Sequence, residues 1–184
     1  MEQLESILSD SGHQSILRYW ESRRSGRAMP GRADIDPVDI PDLLPHIGFM
    51  EVHDSGRRFR YRLVGTRLDE VYGEALSGRF LDEAAAGPHV QFLHGLYADC
   101  ARRAAPVYSE STFSYRTNAD LSVKRLLLPL SNDGRAVDMV LFMNTFNSAQ
   151  PMHYASPFRA DDIVDFVETK RVVAGDGAGA SSSN

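Results

Sequence analysis

Apolar and charged positions alternate strictly over residues 58–63, where Phe59, Tyr61 and Leu63 fall on one side of an extended chain and arginines on the other. A second strand-like run, residues 47–52, precedes it, and the Asp-Ser-Gly-Arg segment between the two is typical of a turn. A Gly-Thr pair, Gly65 and Thr66, then ends the alternation. The pattern predicts a β-hairpin that leads into short helices.

Residues 89–104 repeat apolar side chains at helical spacing, which predicts the longest helix of the chain. Shorter helices are predicted through Leu68 to Tyr72, closed by Gly73, and at residues 80–82. Three further strands are predicted at residues 107–115, 123–130 and 137–146, the last two joined by an Asn-Asp-Gly turn. We therefore predict an α+β fold: a five-stranded antiparallel sheet covered by helices on one face.

The predicted core comprises residues 46–147. The segments on either side of it are predicted to be additions to this core. Residues 1–45 form an N-terminal helical extension, with a helix striped by Ile16, Leu17 and Trp20 and a proline-rich stretch that holds a one-turn helix at residues 38–44. Residues 148–174 are predicted to hold a short helix, capped by Asp161 or Asp162. Its apolar stripe would comprise Ile163, Phe166 and Val167. The low-complexity residues 175–184 are predicted to be disordered.

Composition narrows the class of protein. The chain has 184 residues, a formal net charge of −5 and one cysteine. These values predict one domain with extensions, no nucleic-acid partner, no intrachain disulfide and no structural zinc site. No apolar run approaches the roughly 20 residues of a membrane helix, and the first residues do not resemble a signal peptide. We expect a cytoplasmic protein without membrane insertion.

The order of elements resembles the PAS fold, and the sequence is similar to a bacterial group of short, usually stand-alone PAS proteins, the PAS_5 type. The resemblance spans about residues 17–146 and lies in these segments: Leu17-Arg18-Tyr19-Trp20, residues 35–41, Leu43-Leu44-Pro45-His46, residues 59–66, Gly78-Arg79 and Leu128-Pro129-Leu130-Ser131. It implies a PAS domain, a fold whose members sense ligands, hold cofactors or dimerise.

In PAS-like proteins a ligand pocket lies between the inner face of the sheet and the covering helices. The resemblance therefore implies a pocket lined by Phe49, Tyr61, Leu63, Val71, Leu93, His94, Tyr97, Leu128, Met139 and Phe142. The same residue types build an ordinary core, so a pocket and a filled core both remain open.

Two residues raise the question of a cofactor. Haem-binding PAS proteins take their axial histidine from the helix that corresponds to residues 89–104, which makes His94 a candidate ligand, with His89 second. The alternative is a hydrogen-bonded, half-exposed histidine. Light-sensing relatives carry a reactive cysteine on a short helix before the long one. Cys100 lies on the long helix itself, so we expect no flavin and a buried, apolar role for this cysteine.

Contact surfaces are predicted at two places. Leu17 and Trp20, placed outside the predicted core, are candidates for a homodimer surface. Arg58, Arg60 and Arg62 form a basic stripe suited to an acidic protein partner or to a solvated strand face.

The chain offers little for catalysis or metal binding. Asp34, Asp36 and Asp39 suit capping and turns better than metal binding or acid–base catalysis. No triad, P-loop, dinucleotide fingerprint or metalloprotease motif stands out. We therefore expect no enzyme, although a small enzyme on a similar scaffold stays a third possibility.

The first hypothesis is a cytoplasmic sensory or regulatory module that binds a small molecule, a protein partner or both. It would signal through dimerisation or partner contacts, because we expect no output domain beside the core. The alternative from another class is a haem-based gas or redox sensor that uses His94 as its axial ligand.

Overall fold

The structure, a computed structural model, describes residues 2–84, 88–115, 120–148 and 163–175. Within them, six strands form one sheet: β1 (Ile47–His53), β2 (Arg58–Val64), β3 (Val107–Tyr115), β4 (Asp120–Leu130), β5 (Met139–Ser148) and β6 (Ile163–Val173). The α-helices are α1 (Glu2–Ile7), α2 (Ser11–Arg23), α3 (Thr66–Tyr72), α4 (Leu81–Ala84) and α5 (Pro88–Arg103). Three 3-10 helices (Arg32–Asp34, Pro37–Asp39 and Pro41–His46) connect α2 to β1.

The sheet runs in the order β2-β1-β5-β4-β3-β6, and every neighbouring pair is antiparallel. This arrangement confirms the predicted α+β class and the PAS-like fold. The long helix and the first five strands also lie within a few residues of their predicted bounds.

The predicted strand count was wrong, because the segment expected to be a C-terminal helix is strand β6. Ile163 and Phe166 are spaced as on a helix face, but the segment pairs with the outer edge of β3, from Val107 opposite Val173 to Tyr115 opposite Ile163. An open strand edge offers a row of unpaired backbone groups, and a segment rich in β-branched residues satisfies them better as a strand. Apart from Gly175, the tail predicted to be disordered lies outside the described residues.

The two faces of the sheet are covered by different helices. Helices α3 and α5 pack on the face that we call the inner face, where Phe92 of α5 contacts Phe166 with the two rings tilted and their centroids 4.6 Å apart. The opposite, outer face meets α2, whose His13 ring contacts Tyr108 edge-on at 5.9 Å. Tyr108 and the inner-face residue Phe113 are five positions apart on β3, an odd spacing that places them on opposite faces.

Helix α2 is therefore part of the core, and the prediction that Leu17 and Trp20 form a dimer surface was wrong. Both side chains are only 1 % exposed. The Trp20 indole Nε1 donates a 2.9 Å hydrogen bond to the carbonyl of Pro129 on β4. Asp10 caps the helix by accepting from the backbone N–H of His13. The amphipathic stripe of α2 is buried against the sheet because the outer face is itself apolar.

Two glycines allow the hairpin to pack closely. A Cβ at Gly48 would lie 2.3 Å from the Phe142 ring, so glycine at this position of β1 leaves the space that the ring fills. A Cβ at Gly65 would lie 2.3 Å from the backbone oxygen of Leu44. The Gly-Thr pair at the end of β2 thus marks the place where the chain passes the preceding 3-10 helix.

Candidate functional site

The inner face of the sheet carries a buried cation, Arg125, in the middle of strand β4. It is 4 % exposed, and its neighbours on the same face are Val123 and Leu127. Its guanidinium carbon lies 5.6 Å from the ring centroids of both Phe92 and Phe113, so one aromatic ring from α5 and one from β3 flank the charge.

Arg125 has few polar partners for a buried charge. Its Nη1 donates a 2.6 Å hydrogen bond to Ser111 Oγ on β3, while Nε has no hydrogen-bond partner among the described residues. No carboxylate in the described part of the chain forms an ion pair with Arg125. Glu168 interacts with it at longer range but is held by Arg171 at 2.7 Å and by Ser109 at 3.2 Å. Burial lowers the pKa of Arg125, yet a guanidinium stays protonated in proteins. The result is a buried positive charge for which the described residues provide no direct counter-ion.

Asn144 on β5 faces Arg125 across the sheet as its partner in the ladder. The side chain is 4 % exposed, and its Nδ2 donates a 2.9 Å hydrogen bond to the Tyr72 hydroxyl on α3. Its Oδ1 is buried and accepts no hydrogen bond from any described residue. A buried acceptor of this kind costs free energy unless a donor reaches it.

Three tyrosines surround these polar groups. Burial raises the pKa of Tyr61, Tyr72 and Tyr97, so their hydroxyls are protonated at neutral pH. Tyr61 and Tyr97 each meet Phe142 edge-on, with centroids 6.1 and 6.0 Å apart. We call the following group the inner-face cluster: Arg125, Asn144, Ser111, Tyr61, Tyr72, Tyr97 and Phe142. It combines a cation, hydroxyl groups and an open acceptor with aromatic walls, which is the composition of a small-molecule site.

A family model for the PAS domain, PAS_5, matches residues 8–143, most of the chain. The chain belongs to the PAS_5 family of PAS domains. As such it is a sensory or regulatory module. No curated protein and no solved structure matches it. The match to the family begins just before α2 and ends within β5, so the outer-face helix lies inside it and β6 lies beyond it.

The predicted pocket residues of this PAS domain divide between the two faces of the sheet. Tyr61, Tyr97 and Phe142 belong to the inner-face cluster, and Val71 and Leu93 are buried on α3 and α5. The pocket prediction was wrong for four residues that lie on the outer face: Phe49, Leu63, Leu128 and Met139. Leu63 is 48 % exposed and lines a depression of about 500 Å³ beside Phe49 and Arg32. A backbone irregularity in β1–β2 pairing puts Leu63 on the face opposite Tyr61, against the strict alternation of the sequence.

Arg125, Asn144 and Tyr72 were missed by the pocket prediction. A signal for Arg125 was present, because it is a charged residue inside a strand that is otherwise almost continuously apolar. Charged residues are rarely fully buried unless they are paired. No comparable signal marks Asn144, since its partner on β4 is known only once the strands are in register.

The residues of the PAS domain do not fit the haem hypothesis. The Nε2 atom of His94, the atom that would bind iron, lies 2.8 Å from the carbonyl oxygen of Arg57 in the β1–β2 turn. The His94 ring also packs edge-on against Phe59. His89 is buried, and burial together with the charge of Arg125 lowers its pKa to about 4. Among the described residues, no group of three or more His, Cys, Asp or Glu is placed to hold a metal.

Cys100 is buried on α5, in line with its predicted apolar role, and burial raises the pKa of its thiol. A thiol in this state is a poor nucleophile, since the thiolate is the reactive form.

The basic stripe on β2 is neutralised within the domain. Arg58 pairs with Asp82 at 2.9 Å and with Glu83 at 3.2 Å. Arg60 and Arg62 both pair with Glu51 of β1, at 2.6 and 2.9 Å. Partial burial acts to raise the pKa of Glu51, but the hydrogen bonds from the arginines outweigh it and lower that pKa. These ion pairs cancel much of the positive electrostatic potential that an acidic partner would meet.

In the described segments no helix is long and apolar enough to cross a membrane.

Proposed function

We propose that this PAS domain binds a small molecule at the inner-face cluster and passes the signal on by a change in its association with a second copy or a partner protein. One observation carries the proposal: two buried polar atoms, Nε of Arg125 and Oδ1 of Asn144, lack hydrogen-bond partners among the described residues. Native proteins satisfy nearly all such atoms, and a bound ligand would satisfy both.

Helix α5 supplies a route by which binding would be transmitted. It contributes Tyr97 to the cluster and places Phe92 against Arg125. The same helix is joined to strand β6 by the ion pair between Asp99 and Arg171, at 3.0 Å. A ligand that repositions α5 would therefore also act on β6, the edge strand of the described sheet, and edge strands are common sites of pairing with another chain.

Some roles expected from the sequence are kept as predictions, and others are left out of the proposal. The cytoplasmic location and the homodimer remain predictions, and the proposal includes no catalytic step. The arginines of β2 are weak candidates for a partner surface because their charges are paired. Haem binding is not part of the proposal, and an absorption spectrum after haem reconstitution checks this: a Soret band that disappears in His94→Ala would restore it.

Native mass spectrometry of the purified protein tests the proposal. We expect a native mass above the sequence mass, with the excess lost on denaturation, and a change in oligomer distribution when the bound molecule is removed. If the native mass equals the bare chain, a thermal-shift screen with small acids, bases and neutral compounds follows. A screen in which no compound raises the melting temperature would overturn ligand binding by this domain.

A further inference from the structure

We infer that the molecule recognised by the inner-face cluster is a small organic acid, whose carboxylate binds Arg125 and whose hydroxyl or amino group donates to Asn144. This inference rests on the proposed function and specifies its ligand. It follows from four features of the cluster: the unpartnered Nε of the guanidinium, the absence of a neutralising acid among the described residues, the unpartnered acceptor of Asn144, and the aromatic neighbours.

The Nε–H of Arg125 has no hydrogen-bond partner within the described residues. Ser111 occupies Nη1, and Nε on the other side of the fork is buried and has no partner among the described residues. A guanidinium offers parallel N–H groups that match the two oxygens of a carboxylate. The Nε–H is therefore available to an oxygen of a carboxylate.

Charge balance favours an anion over a neutral ligand. Arg125 is 4 % exposed, and the acid that acts on it from β6, Glu168, is already bonded to Arg171 and Ser109. Leaving a buried charge without a counter-ion is strongly destabilising. One cation flanked by phenylalanine rings suits a single negative charge, so a carboxylate fits better than a doubly charged phosphate.

The second contact requires a donor on the ligand. Asn144 uses Nδ2 to reach Tyr72 and presents Oδ1 without a partner in the described structure. Asn144 and Arg125 are cross-strand partners, so their Cβ atoms lie about 5 Å apart, and the guanidinium reaches towards Ser111 of β3, on the side of β4 opposite to β5. The donor of the ligand should therefore lie on the β5 side of its carboxylate, an arrangement that hydroxy acids and amino acids offer.

The remaining walls are aromatic. Tyr61 and Tyr97 each pack edge-on against Phe142, next to the polar pair. These rings suit the apolar or aromatic body of the acid. The expected ligand class is thus a small carboxylic acid with a nearby hydroxyl or amino group and an apolar body.

Matched probes test each feature by thermal shift on the full chain. The probes are 3-phenyllactate, its carboxamide, which lacks the charge, and 3-phenylpropanoate, which lacks the hydroxyl donor. We expect 3-phenyllactate at a hundredfold excess over its dissociation constant to raise the melting temperature by about 5 to 11 °C. The carboxamide should bind at least about tenfold more weakly, since it leaves the charge unpaired. The propanoate should fall between the two.

The variant Arg125→Met tests the assignment to this residue. It should abolish the response to 3-phenyllactate while keeping or raising the melting temperature without ligand, because removal of a buried unpaired charge is neutral or stabilising. Arg102→Met is the control, since Arg102 lies on the solvent side of α5 and should leave the response intact. If Arg125→Met does not fold, Arg125→Lys keeps the charge without the fork and should weaken binding by about tenfold or more.

The outcomes separate the two proposals. A screen in which only neutral or basic compounds bind overturns the acid ligand and leaves the proposed function standing. An acid response of full size in Arg125→Met also overturns the inference, because binding would then lie elsewhere. Loss of every response in the whole library overturns both.

Discussion

Arg125 and Asn144 stand directly opposite each other on the neighbouring antiparallel strands β4 and β5, and both side chains are buried on the inner face of the sheet. Each makes one hydrogen bond, to Ser111 and to Tyr72 respectively, and each keeps one polar atom without a partner among the described residues. Two such atoms on one cross-strand pair are unusual for a folded core. This pair distinguishes the inner face of the domain from an ordinary apolar core.

The variant Asn144→Asp should supply, from the protein itself, the negative charge that we expect the ligand to bring to Arg125. A carboxylate at this position would face the charge of Arg125 in a buried setting, so the protein without ligand should gain about 1 kcal/mol, or roughly 2 to 4 °C in melting temperature. The same variant should lose its response to 3-phenyllactate. Differential scanning calorimetry measures both effects.

A control for this variant lies on the same strand. Asn147 is exposed, so Asn147→Asp should change the melting temperature little. A lower melting temperature in Asn144→Asp would mean that Arg125 already has an adequate counter-charge.

Trp20 should behave as a core residue and not as an interface residue. Trp20→Ala should cost about 3 to 5 kcal/mol of unfolding free energy, because it removes a fully buried ring. Trp20→Phe should cost about 1 to 2 kcal/mol, because the hydrogen bond to the Pro129 carbonyl is lost. Urea unfolding measures these values. Val38→Ala, at an exposed position, is the control and should stay within about 0.5 kcal/mol of the wild type.

The oligomeric mass in solution provides a separate check on Trp20. It should be the same in Trp20→Phe and in the wild type, since the ring is covered by the domain itself. A variant that is equally stable but dissociated would show that Trp20 contacts a second copy.

Two glycine-to-alanine changes should have opposite signs. Gly65→Ala should destabilise by about 1 to 3 kcal/mol or more, since its Cβ would approach the backbone oxygens of Leu44 and Pro45 to 2.3 and 2.5 Å. Gly95→Ala should stabilise by up to about 1 kcal/mol, because Gly95 lies inside α5 and, among the described residues outside that helix, its Cβ would meet only the Arg171 side chain, at 3.9 Å. Thermal unfolding of the two variants decides the matter. Equal effects would contradict the close approach at Gly65.

His89 should make stability depend on pH. Its pKa is about 4 in the folded protein and near 6.5 when unfolded. As the pH falls from 6.5 to 4, the unfolded chain binds the proton first, so the folded state loses stability over this window. The loss attributable to His89 should be about 2 kcal/mol.

The matched comparison is between the wild type and His89→Gln, in which all other titrating groups, including His13, are retained. Denaturant unfolding at several pH values should give a shallower decline for the variant. Parallel declines would show that His89 is not held neutral by its surroundings.

Much of the architecture could be predicted from local patterns. Alternation in residues 58–63 and the helical repeat in residues 89–104 depend on neighbouring side chains alone, and both elements were found close to their predicted bounds. The turn at Gly134 was predictable in the same way, because its positive backbone φ of 71° suits glycine. Strand β6 was not, since its conformation depends on the free edge of β3, which is distant in the chain.

The sequence by itself determined the family, the α+β class and most strand and helix positions, because these follow from the period of apolar side chains and from the short motifs that accompany them. Only the tertiary structure decided which faces those side chains occupy. The irregular pairing of β1 with β2 places Leu63 on the outer face, and Trp20 is buried because it packs against the apolar outer face of the sheet. Strand register then placed Arg125 opposite Asn144, and this pairing of distant residues, which no local period encodes, defines the candidate site.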